Sequence, residues 1–245
     1  MSPPCYRRHR AAVDVLSLVL GVLWVSSAFA GSAAPALPPE LPKNERAELM
    51  ELAQTADVAT NVQAEPFVIR QDIFEYLLDH PEFAAHLARA LRYTSLRIWS
   101  TPEGLYLDDG HGVIGRFRVI YAANGTRVFH AKGRYKKALL PTIHGEALTM
   151  IEYEAISAGA GRILVRPAVS GWVRLDNRVA GLAMRVASGV AQTKADREAR
   201  KLSKLFARAS QAIDDDPAAV WALLCLRSDV PHRELEEFGR LLNVR

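Results

Sequence analysis

Four closely spaced runs, GVIGRFRVIYAA (residues 112–123), TRVFHAKGRY (126–135), GEALTMIEYEAI (145–156) and GRILVRPAVS (161–170), lead directly into GWVRLDNRVAGLAMRVASGVAQTKADREARKLSKLFARASQAI (171–213). The runs alternate apolar with polar residues, the period of a strand with one covered face. Val113, Gly115, Phe117, Val119 and Tyr121 face one way, and Arg116 and Arg118 the other. Asn124-Gly125 is a hairpin turn because both positions tolerate positive φ. The last stretch changes period. Trp172, Leu175, Val179, Leu182, Val186 and Val190 recur every three or four residues, and Ala199, Leu202, Phe206, Ala209 and Ile213 continue the stripe, which predicts a long amphipathic helix. The expected fold class is therefore α+β: a curved antiparallel meander packed on a long C-terminal helix, with short helices before and after.

Upstream, Ser95–Ser100 and Leu105–Asp109 read as two more strands around Pro102-Glu103-Gly104. Asp108-Asp109-Gly110 then reads as turn chemistry and not as a catalytic carboxylate pair. Before them, Ile73, Phe74, Leu77 and Leu78 fit one short helix, and Phe83, Leu87, Ala90 and Leu91 a second, with Pro81 at its first position. Asn44–Thr55 predicts a further helix, and Ala59–Ile69 only a poor strand. Downstream, Asp216 and Pro217 are placed to cap and start another helix, and a last one runs from about Pro231 to Leu242.

The chain opens on what reads as an export signal: Arg7, Arg8 and Arg10, then the apolar run Val15–Val25, then Ala28-Phe29-Ala30 as a cleavage site. Residues 1–30 are thus expected to be a signal peptide, 31–43 an Ala/Pro-rich linker, 44–213 the α+β domain and 214–245 a helical appendage. The expected compartment is periplasmic or secreted. Cys5 lies in the leader, so Cys225 stands alone after cleavage, and it is expected to be a buried small hydrophobe. With 245 residues, 49% of them hydrophobic, and a net charge of +4, the chain can bury a core without disulfides. It is not basic enough to suggest nucleic acid as a partner.

The helix and Asp79-His80-Pro81 break in IFEYLLDHPEFAAHL (Ile73–Leu87), the meander and the closing helix resemble the helix-grip architecture of the START-like superfamily, which includes the polyketide cyclase and coenzyme Q-binding groups. The resemblance covers about Glu65 to Ile213. It implies an apolar ligand, such as a lipid, sterol or isoprenoid, held between sheet and helix. The lining then expected is Phe117, Val119, Tyr121, Phe129, Tyr135, Ile151, Tyr153, Trp172, Leu175, Val179 and Leu182. Gly115, Ala131, Gly133 and Ala147 on the same strand faces leave room.

No zinc, nucleotide or nucleophile-elbow motif is present, and no cofactor or catalytic residue is expected from the sequence. Within the same scaffold, His130, His144 and Glu146 are the alternative, as a hydrolase or cyclase centre if they converge inside the cavity. A filled domain acting as an envelope interaction module is the third reading. The loop Lys136–Gly145 carries Leu139, Leu140 and Ile143 beside Lys136 and Lys137, and is expected to gate the site or touch anionic membrane lipid.

Overall fold

Turn chemistry sets the register of the sheet. Asn124 (φ 49°) and Gly125 (φ 71°) form the expected tight hairpin turn, and a side chain on Gly125 would stand 2.5 Å from the Tyr153 carbonyl oxygen. Asp109, only 3% exposed, accepts from the amides of His111 (2.7 Å) and Val113 (2.9 Å), so its carboxylate organises a turn, as read from the sequence. In this computed structural model residues 34–136, 141–176 and 189–244 are described. The leader and Lys137 lie outside them, as do Leu139, Leu140, Val179 and Leu182.

Eight strands form one open antiparallel sheet: β1 (Val58–Gln63), β2 (Phe67–Arg70), β3 (Arg97–Thr101), β4 (Gly104–Asp108), β5 (Val113–Ala123), β6 (Thr126–Tyr135), β7 (Ile143–Gly159) and β8 (Arg162–Leu175). Strands β3 to β8 follow one another as hairpins, and β1 and β2 both return to lie against β8. The weak strand expected over Ala59–Ile69 is thus two strands on one edge. Between Gln63, opposite Ala168, and Phe67, opposite Val165, the edge uses one residue more than β8 does. Pro66, which has no amide hydrogen to donate, sits in this break.

Six helices are described: α1 (Lys43–Gln54), α2 (Gln71–Asp79), α3 (Pro81–Ala90), α4 (Gly189–Asp215), α5 (Pro217–Cys225) and α6 (His232–Leu241). Pro81 occupies the first turn of α3, and Asp216 caps α5 by accepting from the Ala219 amide at 2.9 Å. Two expectations fail here. Trp172 and Leu175 do not begin a helix; they are in β8, where Trp172 pairs with Ala59 of β1 and Leu148 of β7, and Leu175 with Gly145 of β7. Ladder pairing overrides the 3.6-residue recurrence of a few apolar side chains. Cys225, expected inside, is exposed, because α5 buries Val220 and Leu224 instead.

Both sheet faces carry apolar clusters. On one, Leu49, Leu52 and Ala53 of α1 and the preceding Leu37 and Leu41 cover Val128, Leu148, Met150 and Trp172. On the other, Leu107, Val113, Phe117, Ala131, Ala147, Val173 and Leu175 pack with Val58, Leu96, Ile98 and Ala85 of α3. Toward β2 this second face continues into Phe67, Ile69, Ile163 and Val165, which meet α2, α3 and the α4 residues Phe206, Ala209 and Ile213. Phe238 of α6, fully buried, lies 4.8 Å from the Phe83 ring and closes the helical end. No helix among the described residues is long and apolar enough to cross a membrane.

Candidate functional site

Register lines up the side chains of the second face in rows across the strands. One row is Leu105, Phe117, Ala131, Ala147, Val173 and Val58. The next is Leu107, Gly115, Gly133, Gly145 and Leu175. Three successive strands thus place glycine at one level, leaving a strip without side chains of its own between two leucines. At Gly145 a Cβ would meet the Arg174 carbonyl oxygen at 2.7 Å and Leu175 Cδ2 at 3.2 Å, so this position accepts no side chain. Val113, Tyr135 and Ile143 close the strip on one side.

On the other side lies a row of Val119, Phe129, Thr149, Gly171 and Thr60. The Phe117 and Phe129 rings stand 6.3 Å apart, and Val119 remains 41% exposed, so the apolar face opens toward solvent at this end. Thr60 Oγ1 is sealed from solvent and has no hydrogen-bond partner among the described residues. An unmatched buried oxygen on this largely apolar face is costly. Burial, with a smaller contribution from Asp109, pushes the Tyr135 phenol up, so that hydroxyl stays neutral.

Seven of the expected lining residues share this face: Phe117, Val119, Phe129, Tyr135, Ile151, Tyr153 and Leu175. Tyr153 sits apart, packed edge-on against Phe74 of α2 at 5.2 Å. Two residues are on the opposite face. A bulge between Val119 and Tyr121 reverses the alternation of β5, so Tyr121 pairs with Val128 and packs with the α1 cluster. Trp172 points the same way because it alternates with Val173 in β8. Gly145, Leu107 and Thr60 were missed as members of the site. For Gly145 the signal was present, two residues before Ala147 and in phase with it.

The alternative catalytic set lies on the α1 side and does not meet the glycine strip. His130 Nε2 is 3.8 Å from Glu146 Oε2 and has no hydrogen-bond partner among the described residues, and burial holds its pKa below the usual histidine value. Burial alone would raise Glu146, but Lys132 at 2.6 Å and Arg174 at 3.0 Å overcome it and hold the carboxylate low. His144 is exposed opposite Arg134. The basic strand face is real but largely paired: Arg116 with Glu103 at 3.4 Å, and Arg118 with Glu45 of α1 at 3.8 Å. Ile143 of the expected gate loop belongs to β7 and packs against the core.

No protein-family model matches this chain, and no curated protein matches it. Among solved structures, a hypothetical protein of Helicobacter pylori is similar over 74% of this chain and 99% of its own, at 12% identity and a TM-score of 0.39.

Proposed function

We propose that the chain is an exported carrier that holds an apolar ligand against the second sheet face, on a helix-grip scaffold of the START-like kind. The observation that carries this reading is the aligned row Gly115, Gly133 and Gly145 between Leu107 and Leu175. A core meant to be filled by its own strands places branched side chains at such a level. Gly115 and Gly133, in register on adjacent strands, put no side chain of their own over the backbone, which supports room for something laid across it there, while Leu175 covers the strip at Gly145.

Element order supports the scaffold. A split first strand lies beside the last strand, a helix pair follows it, six hairpin-linked strands come next, and α4 packs on β1 and β2. The poor strand expected over Ala59–Ile69 corresponds to β1 and β2, which is compatible with such a scaffold. Thr60 Oγ1, on β1 at the far end of the row from Val119, supplies a polar anchor, which suits an amphipathic lipid, sterol or isoprenoid with one oxygen-bearing head. The leader-like opening of the sequence supports an exported carrier, periplasmic or outside the cell, with exchange of ligand at a membrane surface.

The test is native mass spectrometry of the purified protein, followed by organic extraction and lipid analysis. A near-stoichiometric apolar molecule is expected in the wild type and is lost in Gly133→Leu, while far-UV circular dichroism is unchanged. A bare polypeptide mass in the wild type, with no lipid taken up from mixed vesicles, overturns the carrier.

A further inference from the structure

Away from the sheet, the junction of α2 and α3 meets the start of α6. His80, Glu82 and Glu234 each bring one ligand atom there, and these atoms lie within 4.8 Å of one another. We propose that these three side chains form a zinc-type divalent cation site that clamps α6 to the α2–α3 corner. This goes beyond the carrier reading and does not depend on it.

The corner is built before any ion arrives. The His80 ring packs on Tyr76 at 4.4 Å with planes 30° apart, and the Tyr76 hydroxyl donates to the Glu234 carbonyl oxygen at 3.2 Å. The same tyrosine therefore orients the imidazole and fixes the turn that carries the carboxylate. Pro81 starts α3 directly after His80, which places Glu82 in the first turn beside it.

Charge at the corner is unbalanced. Glu234 Oε2 is sealed from solvent and accepts no hydrogen bond among the described residues. Arg233 is 88% exposed and turned away to Glu237 at 2.9 Å. One imidazole and two carboxylates are a ligand set suited to zinc at about 2.0–2.2 Å, and rotation of the two glutamates closes the remaining distance.

The experiment uses the full chain, treated with chelator and titrated with zinc chloride alone, read by calorimetry and by thermal melting. One equivalent is expected to bind and to raise the melting midpoint, since an ion bound only by the folded state stabilises it. His80→Gln and Glu234→Gln are expected to lose both the isotherm and the shift, and Glu237→Gln to keep them. Circular dichroism on each variant verifies that it is folded, and Glu82→Gln stands in for any that is not. No saturable binding by the wild type, or binding retained in all ligand variants, overturns the site.

Discussion

Phe67 of β2 and Phe206 of α4 stack face to face, with ring centroids 5.5 Å apart and planes 8° from parallel. Phe74 of α2 meets both edges, at 5.9 Å from Phe67 and 5.6 Å from Phe206. One aromatic group therefore joins the short edge strand, the first of the helix pair and the helix α4. Phe206→Ala should destabilise the protein by about 2–3 kcal/mol, less than a fully buried phenylalanine because Phe206 is half-buried. Urea unfolding checks it. A change under about 0.5 kcal/mol means the stack does not hold α4 in place.

Acid should weaken the contact between α3 and the chain before α6. His86 is buried, and its Nδ1 accepts from Arg89 Nη2 at 2.6 Å while Arg89 also pairs with Asp229 at 2.8 Å. Burial, reinforced by Arg89, lowers His86 to about 4. The unfolded chain takes up this proton below about 6.5 and the folded one does not until about 4, so stability is lost as pH falls through that window. The full difference is on the order of 3 kcal/mol. Asp229, held to about 2, adds a further loss below its ordinary value of 3.8. Urea midpoints between pH 7 and pH 4 should fall steeply in the wild type and less in His86→Gln; equal slopes in both refute the assignment.

The first and last hairpin turns of the β5–β8 meander should differ in their tolerance of alanine. Gly125→Ala forces both a left-handed φ and a Cβ contact with the Tyr153 carbonyl oxygen. Gly159, with φ 81°, has nothing within 4 Å of an added Cβ, so Gly159→Ala costs only the conformational term of about 1–2 kcal/mol. Paired denaturation curves should place Gly125→Ala well below Gly159→Ala, and the reverse order would mean the hairpin turn relaxes freely.

Removing the α5 cap tests how firmly the helical end is held. Asp216→Ala leaves the Ala219 amide without its acceptor and should cost about 1 kcal/mol. Hydrogen exchange at the first turn of α5 should accelerate in the variant, while exchange in β6 and β7 stays unchanged.

Much of the architecture was readable because it depends on local chemistry. Asn124-Gly125, Asp109, Pro81 and Asp216 each act within a few residues of themselves, and all four sit as read. The errors fell where a distant partner decides. Trp172 to Leu175 recur like a helix, yet ladder pairing makes them strand. Ala59 to Ile69 look poor as a strand and gain their structure from β8, about a hundred residues later. Tyr121 was assigned the wrong face because one bulge residue inverts every side chain after it, and no composition signal announces a bulge. The phase of Gly145 with Ala147 was legible in the sequence, but its alignment with Gly133 and Gly115 is a property of register across three strands.

The split edge has a consequence for how the chain is made. Asn61 Nδ2 donates to Ser170 Oγ at 3.0 Å across 109 residues, so the segment that caps β8 is synthesised long before β8 itself. Until that segment closes, the meander ends in a fourteen-residue strand with an open row of amides and carbonyls. Such an edge is a template for another copy. Chains shortened at the start, or folding slowly at high concentration, would therefore aggregate through β8, and Val58–Arg70 is as much a guard against self-association as a part of the sheet.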